Sequence, residues 1–153
     1  MARTNTPSNL EDHLGYWVRA VSNAVSQNFA RKVEAKGVTV AEWVFLRALY
    51  GAEGNSPTQL ATRMGMTKSA ISKLGERLAA KGLVVRTVKA PSSRRQTLTL
   101  TPASRRLVPA LARLADQNDT EFFACLSVSE RERLTKAMRR IASAHGLIGV
   151  PID

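Results

Sequence analysis

The chain has 153 residues, with 23 lysines and arginines against 12 aspartates and glutamates and a formal net charge of +11. Its length and its 44% of hydrophobic residues fit one globular domain and leave little room for a two-domain enzyme. No apolar run approaches the roughly 18 residues that a membrane span needs, and the first nine residues lack the apolar stretch of a secretory signal. We therefore expect a soluble cytoplasmic protein, and the excess of positive charge favours a polyanionic partner.

Six helix starts are indicated by their capping residues. In a capping box, a serine or threonine is followed three residues later by glutamate or glutamine, and each side chain accepts from the backbone N–H of the other residue. The pairs that fit are Ser8 with Glu11, Thr39 with Glu42, Ser56 with Gln59, and Ser127 with Glu130. Thr67 and Thr101 are further caps, and Pro57 and Pro102 stand at the first helical position, where the missing N–H of proline costs nothing.

The spacing of apolar residues gives the extent of each helix. Steps of three or four residues predict helices over 8–36, 39–51, 56–64, 67–81, 102–125 and 127–145. Between Gly82 and Thr101 the period changes to two, which predicts a β-hairpin with a turn at 90–95. The expected fold is mainly α within the α+β class, with six helices and one hairpin.

The positive charge is concentrated in the middle third of the chain. Residues 56–101 carry nine bases and one acid, Glu76, whereas 1–55 have a net charge of +1 and 102–153 of +2. Because a solvated surface usually mixes both signs, the middle segment is the expected contact with a polyanion.

Residues 56–82 have the organisation of a helix-turn-helix, whose second helix can enter the major groove of DNA. The buried face of that second helix is expected to hold Ile71, Leu74 and Leu78. The opposite face, which also carries Glu76, offers amine, hydroxyl and guanidinium donors to base edges and phosphates. The expected contacts on this face are Lys68, Ser69, Ser72, Lys73 and Arg77. Arg94 and Arg95 end the hairpin turn and suit the minor groove or its rim, so the motif is a winged variant.

Two segments resemble the MarR family of winged-helix transcription regulators. Residues 56–84, which begin Ser-Pro-Thr-Gln-Leu-Ala and end Lys-Gly-Leu-Val, are similar to its helix-turn-helix. Residues 91–103, which contain Pro-Ser-Ser-Arg-Arg and Leu-Thr-Leu-Thr-Pro-Ala, resemble its wing and the start of its next helix. Ala90 and Ser93 stand where the family's wing usually has aspartates, and Ser104 replaces a glycine.

The resemblance implies a homodimer that binds a pseudo-palindromic operator and is often released by a small molecule. Within one domain over 1–153, it implies dimerisation helices in 8–36 and 102–153 and a DNA-binding region over 55–101. The sequence also supports a dimer independently, because the terminal helices are apolar and nearly neutral, and the tail from Leu147 to Ile152 would otherwise expose apolar surface. A two-fold dimer would place its recognition helices one DNA turn apart, about 34 Å.

Several residues admit more than one interpretation. Gly75 indicates either a close approach by another element or a helix that tolerates glycine at about 1 kcal/mol relative to alanine. Cys125, the one cysteine, excludes an intrachain disulfide, and we expect a packed thiol, with redox sensing as the alternative. His13 and His145 lack metal-site spacing, and no catalytic pattern or phosphate loop is present. We expect no enzyme, metal or cofactor.

An effector pocket is the least defined expectation. His13 and Trp17 lie one turn apart on the first helix, and Trp43 and Arg47 lie one turn apart on the second. Aromatic rings with a cation suit an aromatic carboxylate such as a phenolic acid. The alternative is that both tryptophans belong to the core and Arg47 is solvated.

The function expected from this sequence is regulation of transcription by sequence-specific binding to double-stranded DNA, as a repressor released by a small aromatic or phenolic ligand. The alternatives are a constitutive architectural nucleic-acid-binding protein without effector and a redox sensor acting through Cys125. An RNA-binding protein is disfavoured, because residues 56–101 contain no phenylalanine, tyrosine or tryptophan for stacking on bases. A protein–protein adaptor on the same scaffold stays open, since fold alone does not fix function.

Overall fold

The computed structural model describes residues 6–51, 54–88 and 96–147. These residues form the six helices and the hairpin that the sequence predicts. The elements in chain order are α1 (Leu14–Glu34), α2 (Val40–Leu49), α3 (Pro57–Met64), α4 (Lys68–Ala80), β1 (Val84–Val88), β2 (Gln96–Leu100), α5 (Pro102–Phe122) and α6 (Val128–Ala144). No helix in the described ranges is long and apolar enough to cross a membrane.

Hydrogen bonds at the helix starts confirm most of the predicted caps. At the start of α2, the Thr39 N–H donates to the Glu42 carboxylate at 2.9 Å, and the Glu42 N–H donates to the Thr39 hydroxyl at 3.2 Å. The same reciprocal pair of bonds forms between Ser56 and Gln59 and between Ser127 and Glu130. The hydroxyls of Thr67 and Thr101 accept from the N–H groups of Ala70 and Ser104.

The capping box predicted at Ser8 is wrong. Leu10–Asp12 form a short 3-10 turn, and the Asn9 N–H donates to the Asp12 carboxylate at 2.9 Å, so the reciprocal spacing is displaced by one residue. The Ser8 hydroxyl instead lies 3.1 Å from the imidazole of His13, and α1 begins only after that histidine. The end of α5 is also three residues earlier than predicted.

The two strands of the predicted hairpin pair in antiparallel orientation. Val84 pairs with Leu100 and Arg86 with Leu98. The Leu98 N–H also donates to the carbonyl of Asn55 at 3.2 Å, which adds a single bridge from the loop before α3 to the outer side of β2. This bridge, which the sequence analysis did not predict, fixes α3 to the hairpin.

One apolar core lies between α2, α3, α4, the hairpin and the first half of α5. Its fully buried side chains include Phe45, Leu46, Leu49, Leu60, Ile71, Leu78, Leu98 and Leu111. From α1, only Val33 near the C-terminal end is buried. The core therefore holds α4 and the hairpin on one frame.

The terminal helices are packed much less completely. Among the described residues, α6 has no buried side chain, and its apolar face of Leu134, Met138 and Ile141 is exposed in the single chain. The N-terminal half of α1 exposes Leu14 and Trp17 in the same way. α1 and α5 are joined by polar contacts that include the buried Asn118, whose amide donates to the Val25 carbonyl and accepts from Asn28, and the ion pair of Lys32 with Glu121.

Candidate nucleic-acid interface

The turn between α3 and α4 has the geometry that a helix-turn-helix requires. α3 ends at Gly65, whose φ of +63° lies in the left-handed region that favours glycine. The Met66 N–H returns to the Ala61 carbonyl at 3.0 Å, and Thr67 then caps α4. Only three residues separate the two helices, so α4 is held at a fixed angle across α3.

α4 has one buried and one exposed face, as predicted. Ile71, Leu74 and Leu78 are buried in the core. The side chains of Lys68, Ser69, Lys73 and Arg77 are exposed, and Ser72 is half-buried at the edge of the exposed face. Five of the predicted DNA-contacting residues therefore share one accessible surface; their contact with DNA stays a prediction.

The hairpin stands beside α4, but its tip is outside the described residues. The predicted contacts Arg94 and Arg95, together with the rest of residues 89–95, fall in that segment. The strands that lead to the tip are described, and they expose Val85 and Val88.

Gly75 is explained by a close approach, one of its two interpretations. A Cβ atom at this position would lie 3.2 Å from Nη2 of Arg86 and 3.8 Å from Cζ of Phe45. The Arg86 guanidinium crosses the helix here and donates to the Ser72 carbonyl at 2.9 Å. Arg86 is one of the nine bases of the middle segment, and its place in that segment does not by itself predict this contact. The signal was the alternation of β1, which puts Arg86 on the same strand face as the buried Val84.

An ion pair between the buried Glu42 and the partly exposed Lys81 joins the start of α2 to the end of α4. Lys81 donates to the Glu42 carboxylate at 2.7 Å and to the Gly37 carbonyl at 2.9 Å. Burial raises the pKa of the Glu42 carboxyl, but hydrogen bonds from Lys81 and the Thr39 N–H, and the charges of Lys81 and Arg77, outweigh it, so the pKa falls below 4.5. The Lys81 amine thus ties the end of α4 to α2 and to the turn between α1 and α2.

The four residues of the predicted effector pocket lie in two separate places within one chain. Trp43 and Arg47 line a cavity of about 260 Å³. Its other walls are Val44, Ala48, Arg63 and Met64. Trp43 also packs against Phe29 of α1 with ring centroids 6.5 Å apart.

His13 and Trp17 lie at the other end of α1. The Trp17 indole donates to the Glu11 carbonyl at 2.9 Å, and half of its side chain is exposed. Twelve residues separate Trp17 from Phe29, or about 18 Å along the helix axis. One chain therefore does not bring the two pairs together, and the pocket stays a prediction.

Cys125 corrects one expectation. The sequence predicts a packed thiol, whereas the structure places it exposed in the turn between α5 and α6. Its neighbours Phe122, Phe123 and Leu126 are only half-buried. Over the described ranges, no three His, Cys, Asp or Glu residues are grouped so that they could hold a metal ion.

Known proteins with this organisation regulate transcription. Residues 36–96 match the model of the MarR family. A putative transcriptional regulatory protein for the hcr operon of Thauera aromatica is 33% identical over 132 residues, which cover 84% of this chain and 78% of the relative. An HTH-type transcriptional repressor of Mycobacterium bovis is 25% identical over 130 residues, covering 85% and 94% of the two chains.

A solved structure extends the similarity to three dimensions. Staphylococcus aureus MepR in complex with DNA superposes with a TM-score of 0.77 at 25% identity, covering 86% of this chain and 98% of that chain. The region matched by the family model includes the helix-turn-helix described above. The chain belongs to the MarR family of transcription regulators.

Proposed function

We propose that this protein represses transcription as a homodimer, with α4 of each chain in the major groove of a pseudo-palindromic operator. The observation that carries this function is the exposed face of α4, where amine, hydroxyl and guanidinium donors lie opposite a fully buried aliphatic face. The buried face holds this helix to the core, and the exposed face presents hydrogen-bond donors and positive charge, with Glu76 as its one acidic residue, which suits base edges and phosphates. The DNA complex of the Staphylococcus aureus relative supports the same use of the fold.

Each residue of the surface has a distinct proposed role. Lys68, Ser69, Ser72 and Lys73 lie in the first two turns of α4 and contact base edges. Arg77, one turn further along, contacts phosphate. Arg94 and Arg95 at the wing tip reach the minor groove or its rim.

The dimer brings two such surfaces together. We assign residues 55–101 to DNA binding and the helices within 8–36 and 102–153 to dimerisation. The apolar faces of α1 and α6 are exposed in one chain, and a second chain that covers them removes this surface from water. Two-fold symmetry then places the recognition helices about 34 Å apart, one turn of DNA.

We also propose that an aromatic carboxylate releases the protein from DNA. The cavity beside Trp43 contains two guanidinium groups, from Arg47 and Arg63, and apolar walls. Arg63 already donates to the Ala48 carbonyl at 3.0 Å, so Arg47 is the better candidate for a carboxylate. Titration of the operator complex with hydroxybenzoates tests this proposal: release by them should require Arg47, and Arg47→Ala should abolish it while leaving operator affinity unchanged.

The family to which the chain belongs is a family of regulators, which is not an enzyme class. We propose no catalytic activity. Because the function requires access to chromosomal DNA, we place the protein in the cytoplasm.

The test of the DNA-binding proposal is selection of bound fragments from random genomic DNA. A regulator should prefer its operator to other DNA by about 10³-fold or more, and the half-sites should be one turn apart. Recovery of fragments without sequence preference would instead support a constitutive architectural protein.

The residue assignments need a second measurement on the selected operator. Lys73→Ala and Arg94→Ala should each weaken binding by about 1–3 kcal/mol without unfolding the protein. Lys136→Ala is the matched control, because this exposed lysine of α6 lies outside the proposed surface. Equal affinity of wild type and either interface variant across a salt titration would refute that assignment.

A further inference from the structure

The recognition helix and the wing are joined by one side chain. Arg86 lies in the middle of β1, opposite the buried Leu98 of β2. Its guanidinium extends back to α4, where Nη2 donates to the carbonyl of Ser72 at 2.9 Å. This carbonyl belongs to the turn of α4 that carries the proposed base contacts, and an oxygen with two lone pairs can accept from Arg86 as well as from the helix.

The helix is shaped to receive this guanidinium. A Cβ atom on residue 75 would lie 3.2 Å from Nη2 and 3.9 Å from Nε of Arg86. Gly75 has an ordinary helical backbone without positive φ, so conformational freedom does not explain it. Since glycine weakens a helix relative to alanine, its presence here is explained by the space that Arg86 occupies.

The surroundings of the Arg86 side chain do not otherwise favour an arginine at this position. Its Nε is enclosed and has no hydrogen-bond partner among the described residues. A buried donor without a partner is unfavourable, and a methionine would cover the same apolar surface without it. What the methionine would lack is the directional bond from β1 to the Ser72 carbonyl.

We infer that Arg86 is a positioning residue that fixes the angle between the wing and the recognition helix through Gly75 and the Ser72 carbonyl. This inference rests on the proposed function, because a fixed angle matters when major-groove and minor-groove contacts must be made at the same time. A rigid angle selects operators whose grooves match both elements, so Arg86 contributes to specificity without itself touching a base.

The first test is a double-mutant cycle read as the ratio of operator affinity to affinity for a scrambled duplex. R86M should lower this ratio at least tenfold, and G75A should lower it by less, because a methyl group 3.2 Å from Nη2 forces the guanidinium to shift by a few tenths of an ångström. G75A made in the R86M background should have no further effect, since the group it displaces is gone. Additive effects of the two substitutions would overturn the inference.

R86K separates positioning from charge. Lysine keeps the positive charge and loses the planar fork, so R86K should lower the ratio while the dependence of affinity on salt stays as in wild type. If Arg86 contacted phosphate directly, R86M would reduce the salt slope by about one and leave the ratio nearly unchanged. The matched control is T87M, the next residue of β1, which is exposed and should change neither quantity.

The second test does not use DNA, so it distinguishes failure of this inference from failure of the proposed function. Spin labels are attached at E76C and V88C in a C125S background, and labelled chains are diluted with unlabelled chain so that distances within one chain dominate. R86M should broaden the distance distribution between α4 and the end of β1, whereas T87M should not. An unchanged distribution in R86M would overturn the inference even if wild type binds its operator.

Discussion

The winged helix-turn-helix and the terminal helices differ in where their apolar side chains find partners. Phe45, Leu60 and Leu78 are fully buried within one chain, whereas Leu14 is 72% and Ile141 46% exposed. Both regions have the same strong helical periodicity and the same kind of capping boxes. The winged helix-turn-helix therefore buries its apolar side chains within a single chain, while the terminal helices leave theirs exposed for the second chain that we propose to cover them.

The largest expected effect comes from placing charge on the exposed apolar face of α6. The double variant Met138→Asp with Ile141→Asp should give monomers in sedimentation experiments, because the dimer would have to bury two carboxylates. Operator affinity should fall by about 10²–10⁴-fold, since each chain then binds one half-site alone. The helix-turn-helix should stay folded.

Ser129→Asp is the control for this change. It adds a carboxylate to the same helix. Because Ser129 lies nine residues before Met138, it is on the opposite face of α6. The control should remain dimeric. Dimers of the double variant with full operator affinity would mean that α6 does not form the dimer.

The second largest effect is expected in the core of the winged helix-turn-helix. Phe45→Ala should lower the free energy of unfolding by about 3–5 kcal/mol, because it leaves a cavity in a core that is complete within one chain. Tyr50→Ala, at the exposed end of α2, should change it by about 0.5 kcal/mol or less. Denaturant unfolding at one fixed protein concentration measures both, since dimerisation makes stability depend on concentration. Equal losses in the two variants would contradict this description of the core.

The ion pair between α2 and the end of α4 predicts an asymmetry in stability between its two partners. Glu42 is 1% exposed and Lys81 40% exposed. Lys81→Met leaves a charged carboxylate in the interior without its cation and should cost about 2–3 kcal/mol of stability. Glu42→Gln leaves a lysine that still bonds the Gly37 carbonyl and reaches water, and should cost about 1–2 kcal/mol.

The same pair predicts how stability depends on pH. The pKa of Glu42 is lower in the folded chain than its ordinary value of 4.5, so the folded state favours the carboxylate. Its contribution to stability is full above about pH 4.5 and is lost as the pH falls through the lower folded pKa. Glu42→Gln should remove this part of the acid dependence, and a variant with the same acid profile as wild type would contradict it.

Local signals explain how much of the fold could be predicted. Caps such as Thr39 and Ser56 act within one helical turn, so the sequence reveals them directly. The bridge between Asn55 and Leu98 joins residues far apart in the chain, and no local pattern predicts it. Periodicity likewise shows that α6 has an apolar face, but it cannot show whether that face meets the same chain or a second one.

In the candidate site, too, the sequence predicts the features that depend on local spacing and not those that depend on contacts between distant residues. The helical spacing of apolar residues is enough to predict the exposed face of α4. Once Ile71, Leu74 and Leu78 are buried, the residues on the opposite side of the helix must face the solvent. The role of Arg86 cannot be predicted in this way, since a charged residue in a basic segment is expected to point to water. Only the structure shows that its guanidinium fills the space left by Gly75.

The smallest expected effect concerns Cys125, which lies in the turn that the terminal helices leave exposed. This turn follows α5, whose 21 residues extend about 30 Å away from the hairpin. At this distance an oxidised Cys125 side chain would contact neither α4 nor the wing. Hydrogen peroxide should therefore change operator affinity by less than about twofold in wild type and in Cys125→Ser alike. Loss of affinity on oxidation of wild type, with no loss in Cys125→Ser, would instead establish a redox sensor in which the turn between α5 and α6 controls the distance between the two recognition helices.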